Sequence, residues 1–101
     1  MNGTLVYKIL TQEQWSLLER TGRFEGSPDD LRDGFIHLSL AEQVEATRRK
    51  HFQGKAGLVE LTLEVSRLGS QLLMEPSGSG VLYPHLYRPL LLRDVLSKTV
   101  R

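Results

Sequence analysis

The chain has 101 residues, 40% hydrophobic and 25% charged, which leaves room for one small domain spanning residues 1–101 and not for two. Thirteen Lys and Arg against twelve Asp and Glu give a formal charge of +1, too little for a general field that gathers nucleic acid or anionic lipid. The absence of Cys excludes disulfides, a thiolate nucleophile and cysteine-based zinc or iron–sulfur sites, and fits a reducing compartment.

Leu5 to Leu10 alternates β-favouring residues and predicts a first strand, with Leu5, Tyr7 and Ile9 on one face and Val6, Lys8 and Leu10 on the other. The segment from Met1 to Leu10 has no basic stretch leading into a long apolar one, and no run approaches the ~20 residues of a membrane span. A soluble, untargeted, cytoplasmic protein with no membrane partner is therefore expected. Thr11 and Gln14 have capping-box spacing, so a helix should run from about Gln12 to Thr21 and stop at Gly22. Ser27-Pro28-Asp29-Asp30 predicts a short helical turn, because it combines a cap, a Pro at the first helical position and acids in the first turn. Gly34 to Leu38 reads as a buried strand. Ser39 with Glu42 reads as the capping box of a second main helix, whose apolar side holds Leu40, Ala41, Val44 and Phe52. Gly57 to Val65 alternates as a half-exposed strand with Glu60, Thr62 and Glu64 outward. Ser66 to Gly69 reads as a turn, Gln71 to Glu75 as a short strand and Pro76 to Gly80 as a loop. Pro84 suggests that Val81 to Tyr87 is an edge or irregular strand, and a last strand should start near Asp94. The order of elements predicts an α+β domain with two main helices on a split mixed or antiparallel sheet.

Polar residues in otherwise apolar segments mark candidate chemistry, since sequences break local rules mostly at functional or strained sites. Here they are Lys8, His37, Arg48, His51, Glu75 and His85. His37 points away from Ile36 and Leu38 if its segment is extended, and Tyr83, His85 and Tyr87 share one side of theirs. Such a row can stack a flat group and donate to it. The bland alternatives are a core histidine bonded to backbone for His37 and a snorkelling surface residue for Lys8. The spacing of His37, His51 and His85 matches no compact zinc motif, and no metal is expected. There is no nucleophile elbow, phosphate loop or dinucleotide fingerprint. Arg48-Arg49-Lys50 reads as a solvated helix face before it reads as a nucleic-acid surface.

Asp33-Gly34-Phe35-Ile36-His37-Leu38-Ser39, with Gln43 and Thr47 behind it, and Tyr83-Pro84-His85-Leu86-Tyr87 resemble a small bacterial family of uncharacterised domains, domain of unknown function 952. The likeness runs from Val6 through Trp15, both motifs and Glu75-Pro76-Ser77 to the last strand. The chain departs from the family pattern at Gly78-Ser79-Gly80, where Arg-Gly-Gly is usual, and at Arg88, where a small residue is usual. The family in turn resembles the ADP-ribosyltransferase fold, and GFIHLS is similar to the His-bearing motif of RNA 2′-phosphotransferases. That resemblance implies an enzyme or relic that takes NAD as substrate, or another ADP-ribose or phosphate-containing nucleotide, in a cleft. It implies His37 and His85 as catalytic residues and Tyr7, Lys8, Ser39, Glu75, Tyr83, Tyr87 and Arg88 as ligand contacts, the role of the missing Arg being either vacant or taken over by Arg88. Glu75 is the nearest substitute for the carboxylate that transferases of this type place where His85 stands. The competing readings are a non-catalytic module that binds a ligand or partner, and histidines that only lock the fold.

Overall fold

The computed structural model describes residues 4–101; Met1, Asn2 and Gly3, part of the stretch read as untargeted, lie outside the described residues. The chain begins with strand β1 (Leu5–Leu10) and helix α1 (Gln12–Thr21). The Thr11–Gln14 capping box forms as expected, and Gly22 closes α1 in the left-handed conformation at φ 80°. Strand β2 (Arg23–Phe24) follows, then helix α2 (Pro28–Asp33), capped by Ser27 and Asp30 and ended by Gly34. Strands β3 (Ile36–His37) and β4 (Ser39–Leu40) are separated only by Leu38. A 3-10 turn leads into helix α3 (Val44–Phe52), strand β5 (Val59–Glu64) and the short helix α4 (Val65–Leu68). Strands β6 (Leu72–Pro76), β7 (Leu82–Leu86), β8 (Leu90–Leu91) and β9 (Val95–Val100) complete the chain.

These strands form three sheets, ordered β4-β1-β5-β9, β2-β8 and β3-β7-β6. Every pairing is antiparallel, so of the two arrangements expected, mixed or antiparallel, the antiparallel one holds, divided into three sheets. The chain passes from the three-stranded to the four-stranded sheet at Leu38, whose N–H donates to Pro84 O at 3.0 Å. One apolar cluster holds the sheets together, with Val6, Leu10, Leu61 and Leu63 from the larger sheet meeting Leu18, Phe24, Ile36 and Leu86. Burying each of these side chains contributes about 1.5–3 kcal/mol.

Four local expectations are corrected. Ser39 is no helix cap: it pairs with Tyr7 inside β4, and its hydroxyl is 2.9 Å from that of Thr47. Gln43 makes the local bonds instead, accepting from Leu40 N–H and donating to Leu82 O. β7 is a central strand and not an edge. Pro84 is tolerated there because its nitrogen lies on the same strand side as its carbonyl, facing β3, which is only 2 residues long and demands little of the ladder. Ser66 to Gly69 is largely helical, and Glu60 on the outward face of β5 is buried.

Candidate active site

The antiparallel register of β3 and β7 sets His37 directly opposite His85, while Ile36 and Leu86 pair toward the core. The two imidazoles come together with centroids 5.7 Å apart at 69°. Phe35 stacks on His85 at 3.9 Å and 21°, and is tilted against His37 at 4.6 Å and Tyr87 at 5.3 Å. The two motif histidines therefore stand side by side in one ring cluster with Phe35 and Tyr87.

Each imidazole is aimed by a carboxylate. His37 Nδ1 lies 2.7 Å from Asp30 Oδ1, and its Nε2 lies 3.0 Å from Asp33 Oδ2. His85 Nδ1 lies 2.8 Å from Glu75 Oε1, which also accepts the Tyr87 hydroxyl at 2.6 Å. An ionised carboxylate can only accept, so His85, which meets a carboxylate at Nδ1, carries a hydrogen there. In neutral His85 that leaves Nε2 as an acceptor or base. His37 faces carboxylates at both nitrogens and can donate at both only as the imidazolium.

Asp30 is the hub. Its carboxylate accepts from the Lys8 ammonium at 3.0 and 3.3 Å and from the backbone N–H groups of Ser27 at 2.9 Å and His37 at 3.0 Å. Burial works to raise its pKa, but the bonds from His37, the Lys8 charge and the backbone donors outweigh this and hold it far below the ordinary carboxylate range. Burial pushes the Lys8 ammonium below the usual lysine value against the attraction of Asp30. The Tyr87 hydroxyl and then His85 hold Glu75 below its ordinary value, and Glu75 in return raises the Tyr87 phenol. Glu75 is thus an anion beside a fixed imidazole.

A groove of about 220 Å³ adjoins this cluster, with Phe35 and Tyr87 belonging to both and Leu31, Ile36, Leu86 and Pro89 among its walls. Of the sequence candidates, His37, His85, Glu75 and Tyr87 meet, and Tyr83 stands opposite Glu75 across β6 and β7. Lys8 spends itself on Asp30 and on His37 O at 3.0 Å. Tyr7 and Ser39 are not brought into the cluster, Tyr7 because it leaves β1 on the face opposite Lys8. Arg88 lines the groove, but its guanidinium is committed to Asp94 at 2.9 and 3.1 Å and to Pro89 O at 2.8 Å, which leaves it ill placed to replace a phosphate-binding Arg. Sequence reasoning missed Asp30 as the hub, Asp33 as a His37 partner and Phe35 as the stacking ring. The available signal was Lys8 on the core-facing side of β1, since a buried ammonium demands a buried anion.

The sequence model of the family described as "Protein of unknown function (DUF952)" matches residues 9–98. The chain belongs to this family. It is similar to protein CC0527 from Caulobacter crescentus in the crystal, at 49% identity and a TM-score of 0.92 over 96% of this chain and 85% of that one. The solution structure of CC0527 gives 49% identity and a TM-score of 0.85 over 94% of this chain and 82% of that one. No curated protein matches the chain. Among the described residues of this DUF952 domain, no helix is long and apolar enough to cross a membrane, and no group of three or more His, Cys, Asp and Glu could hold a metal ion.

Proposed function

We propose that the His37–His85 cluster binds a nucleotide of the NAD or ADP-ribose type and that Glu75 is the group through which it acts on the ribosyl end. The observation that carries this reading is Glu75, 2.8 Å from His85 Nδ1 and bonded to the hydroxyl of Tyr87, which lines the aromatic groove. In transferases of the type the motifs resemble, a carboxylate stabilises positive charge developing at the anomeric carbon. Here Glu75 supplies it from the neighbouring strand.

Charge and size select among ligands. Asp33 and Glu75 flank the two imidazoles, and Glu25 and Asp30 line the adjoining groove, so a pyridinium ring or an oxocarbenium-like sugar is favoured, whereas a bare 2′-phosphate meets carboxylates. A groove of about 220 Å³ takes one ring-sized group, since pockets for drug-sized molecules run to ~300–1,000 Å³. The rest of a dinucleotide would lie across the open surface by Tyr83. In transfer or hydrolysis, the bond from C1′ to the ring nitrogen breaks and nicotinamide leaves with the electron pair. The acceptor oxygen bonds to C1′, and its proton passes to His85 Nε2. His37, tied at both nitrogens, positions Phe35 and His85.

A non-catalytic binding module is the second reading, favoured by one feature: the His85 side chain is only 9% exposed, under the Phe35 ring. Calorimetric titration with NAD, ADP-ribose and a 2′-phosphorylated oligonucleotide tests both. Heat with NAD, weakened at least ~10-fold by Glu75→Gln and accompanied by nicotinamide release, is the expected result. Binding without release selects the module. No heat with any of the three, at protein concentrations well above micromolar, ends the nucleotide reading.

A further inference from the structure

A second groove, of about 250 Å³, lies on the face of the four-stranded sheet turned away from the histidine cluster. Tyr7 and Glu60 from the sheet, Ala41, Val44 and Glu45 near the start of α3, and Arg101 line it. Glu60 is 8% exposed, and a carboxylate so far withdrawn from water needs a compensating cation. Among the described residues its one such partner is Arg101, with Nε 3.2 Å from Oε1 and Nη2 3.2 Å from Oε2. This two-point fork is the geometry by which a guanidinium recognises a carboxylate and an ammonium does not.

The pair is lopsided. The anion is built into a central strand and hidden, whereas the side chain of Arg101 is 53% exposed. The groove therefore supplies the carboxylate as a fixed feature, and the cation reaches it from the solvent side. Glu45 adds a second anion to the same wall: its hydrogen bond from Arg48 chiefly holds it below the ordinary range, and the charge of Arg101 contributes. Nothing in the histidine cluster uses this groove.

We propose that this groove is a binding site for an alkylguanidinium group, either an arginine side chain or a small guanidine, and that Arg101 occupies it as a built-in stand-in. A ligand must then compete with Arg101, and removing that side chain should unmask the site. The probes are agmatine and the blocked peptide acetyl-Gly-Arg-Gly-amide, titrated into the wild-type chain, Arg101→Ala and Arg101→Ala/Glu60→Gln and followed by amide NMR shifts around Tyr7 and Glu60. Arg101→Ala should bind at least ~10-fold more tightly than wild type, and the double variant should lose that gain. Tighter binding of the peptide assigns the site to arginine on a polypeptide, and tighter binding of agmatine assigns it to a free guanidine; either supports the proposal. His85→Ala in the Arg101→Ala background should leave the affinity unchanged, so this site and the nucleotide reading stand or fall separately. Should Arg101→Ala prove unstable, agmatine should raise its Tm where equal concentrations of methylamine or sodium chloride do not. Affinity no greater than wild type, together with no selective rise in Tm, overturns the proposal.

Discussion

Lys8 stands between Val6 and Leu10 on the core-facing side of β1, where an unpaired ammonium would cost several kcal/mol. It is held there because Asp30 answers it, and Asp30 is held because Lys8, His37 and two backbone N–H groups answer its carboxylate. Removing one partner leaves the other charge buried and alone, so Asp30→Ala should lower the unfolding free energy by about 3–5 kcal/mol in urea titrations. The pH dependence follows from the depressed carboxyl. Its stabilisation is complete above the unfolded value of ~4 and is lost as pH falls from there toward the folded value. Stability measured between pH 7 and 2 should decline on the acid side, and Asp30→Asn should flatten that decline. An unchanged acid limb in Asp30→Asn would show that other carboxylates carry it. Glu75 offers a second check at this scale. Tyr87→Phe removes the larger of the two bonds that depress it, so its carboxyl should titrate higher in a carbon-detected NMR titration, with His85 still aimed at it.

At the level of the element, the cluster depends on how α2 is entered and left. Gly34 ends α2 at φ 85° with nothing near a would-be Cβ, so Gly34→Ala pays only for the left-handed backbone, roughly 1–2 kcal/mol. Gly26 precedes the cap at φ 137°, and a Cβ there would lie 2.7 Å from the Cβ of Asp30. Gly26→Ala must therefore move Asp30 itself. It should lower Tm more than Gly34→Ala and should shift the imidazole resonances of His37, which Gly34→Ala should leave in place; equal effects would contradict the argument. The sequence revealed α1, α2 and the face of His37 because caps and alternation act over neighbouring residues. It hid β2, β4 and β8, each only 2 residues long, because two residues have no period. Asp30 was visible as a capping acid, and its second duty was not, because Lys8 lies 22 positions away in sequence. Ser39 carried a cap's signature in Glu42, but pairing with Tyr7 had the stronger claim on its backbone.

Across the whole molecule, two polar clasps reinforce the single apolar cluster at places where the sheets would otherwise part. Lys8 of the four-stranded sheet reaches Asp30 on α2 and the backbone of His37 in the three-stranded sheet. Arg88, just beyond β7, reaches Asp94 at the root of β9 with two bonds, while Asp94 also accepts Leu91 N–H at 2.8 Å. Both acids are nearly inaccessible to water, so neither clasp resembles the surface bridges Arg23–Glu25 and Arg32–Asp29, which solvent screens and which contribute little. The clasps share no partner, so their losses should add to within about 0.5 kcal/mol. A domain of this size has ~5–15 kcal/mol in all, and two losses of about 3–5 kcal/mol consume most of it. Asp30→Ala and Asp94→Ala should therefore each fold with a lowered midpoint, and the double variant should be largely unfolded at room temperature by circular dichroism. A double variant that keeps a cooperative melt close to that of either single variant would place the stability in the apolar cluster alone and reduce the clasps to ornaments of the sheet junctions.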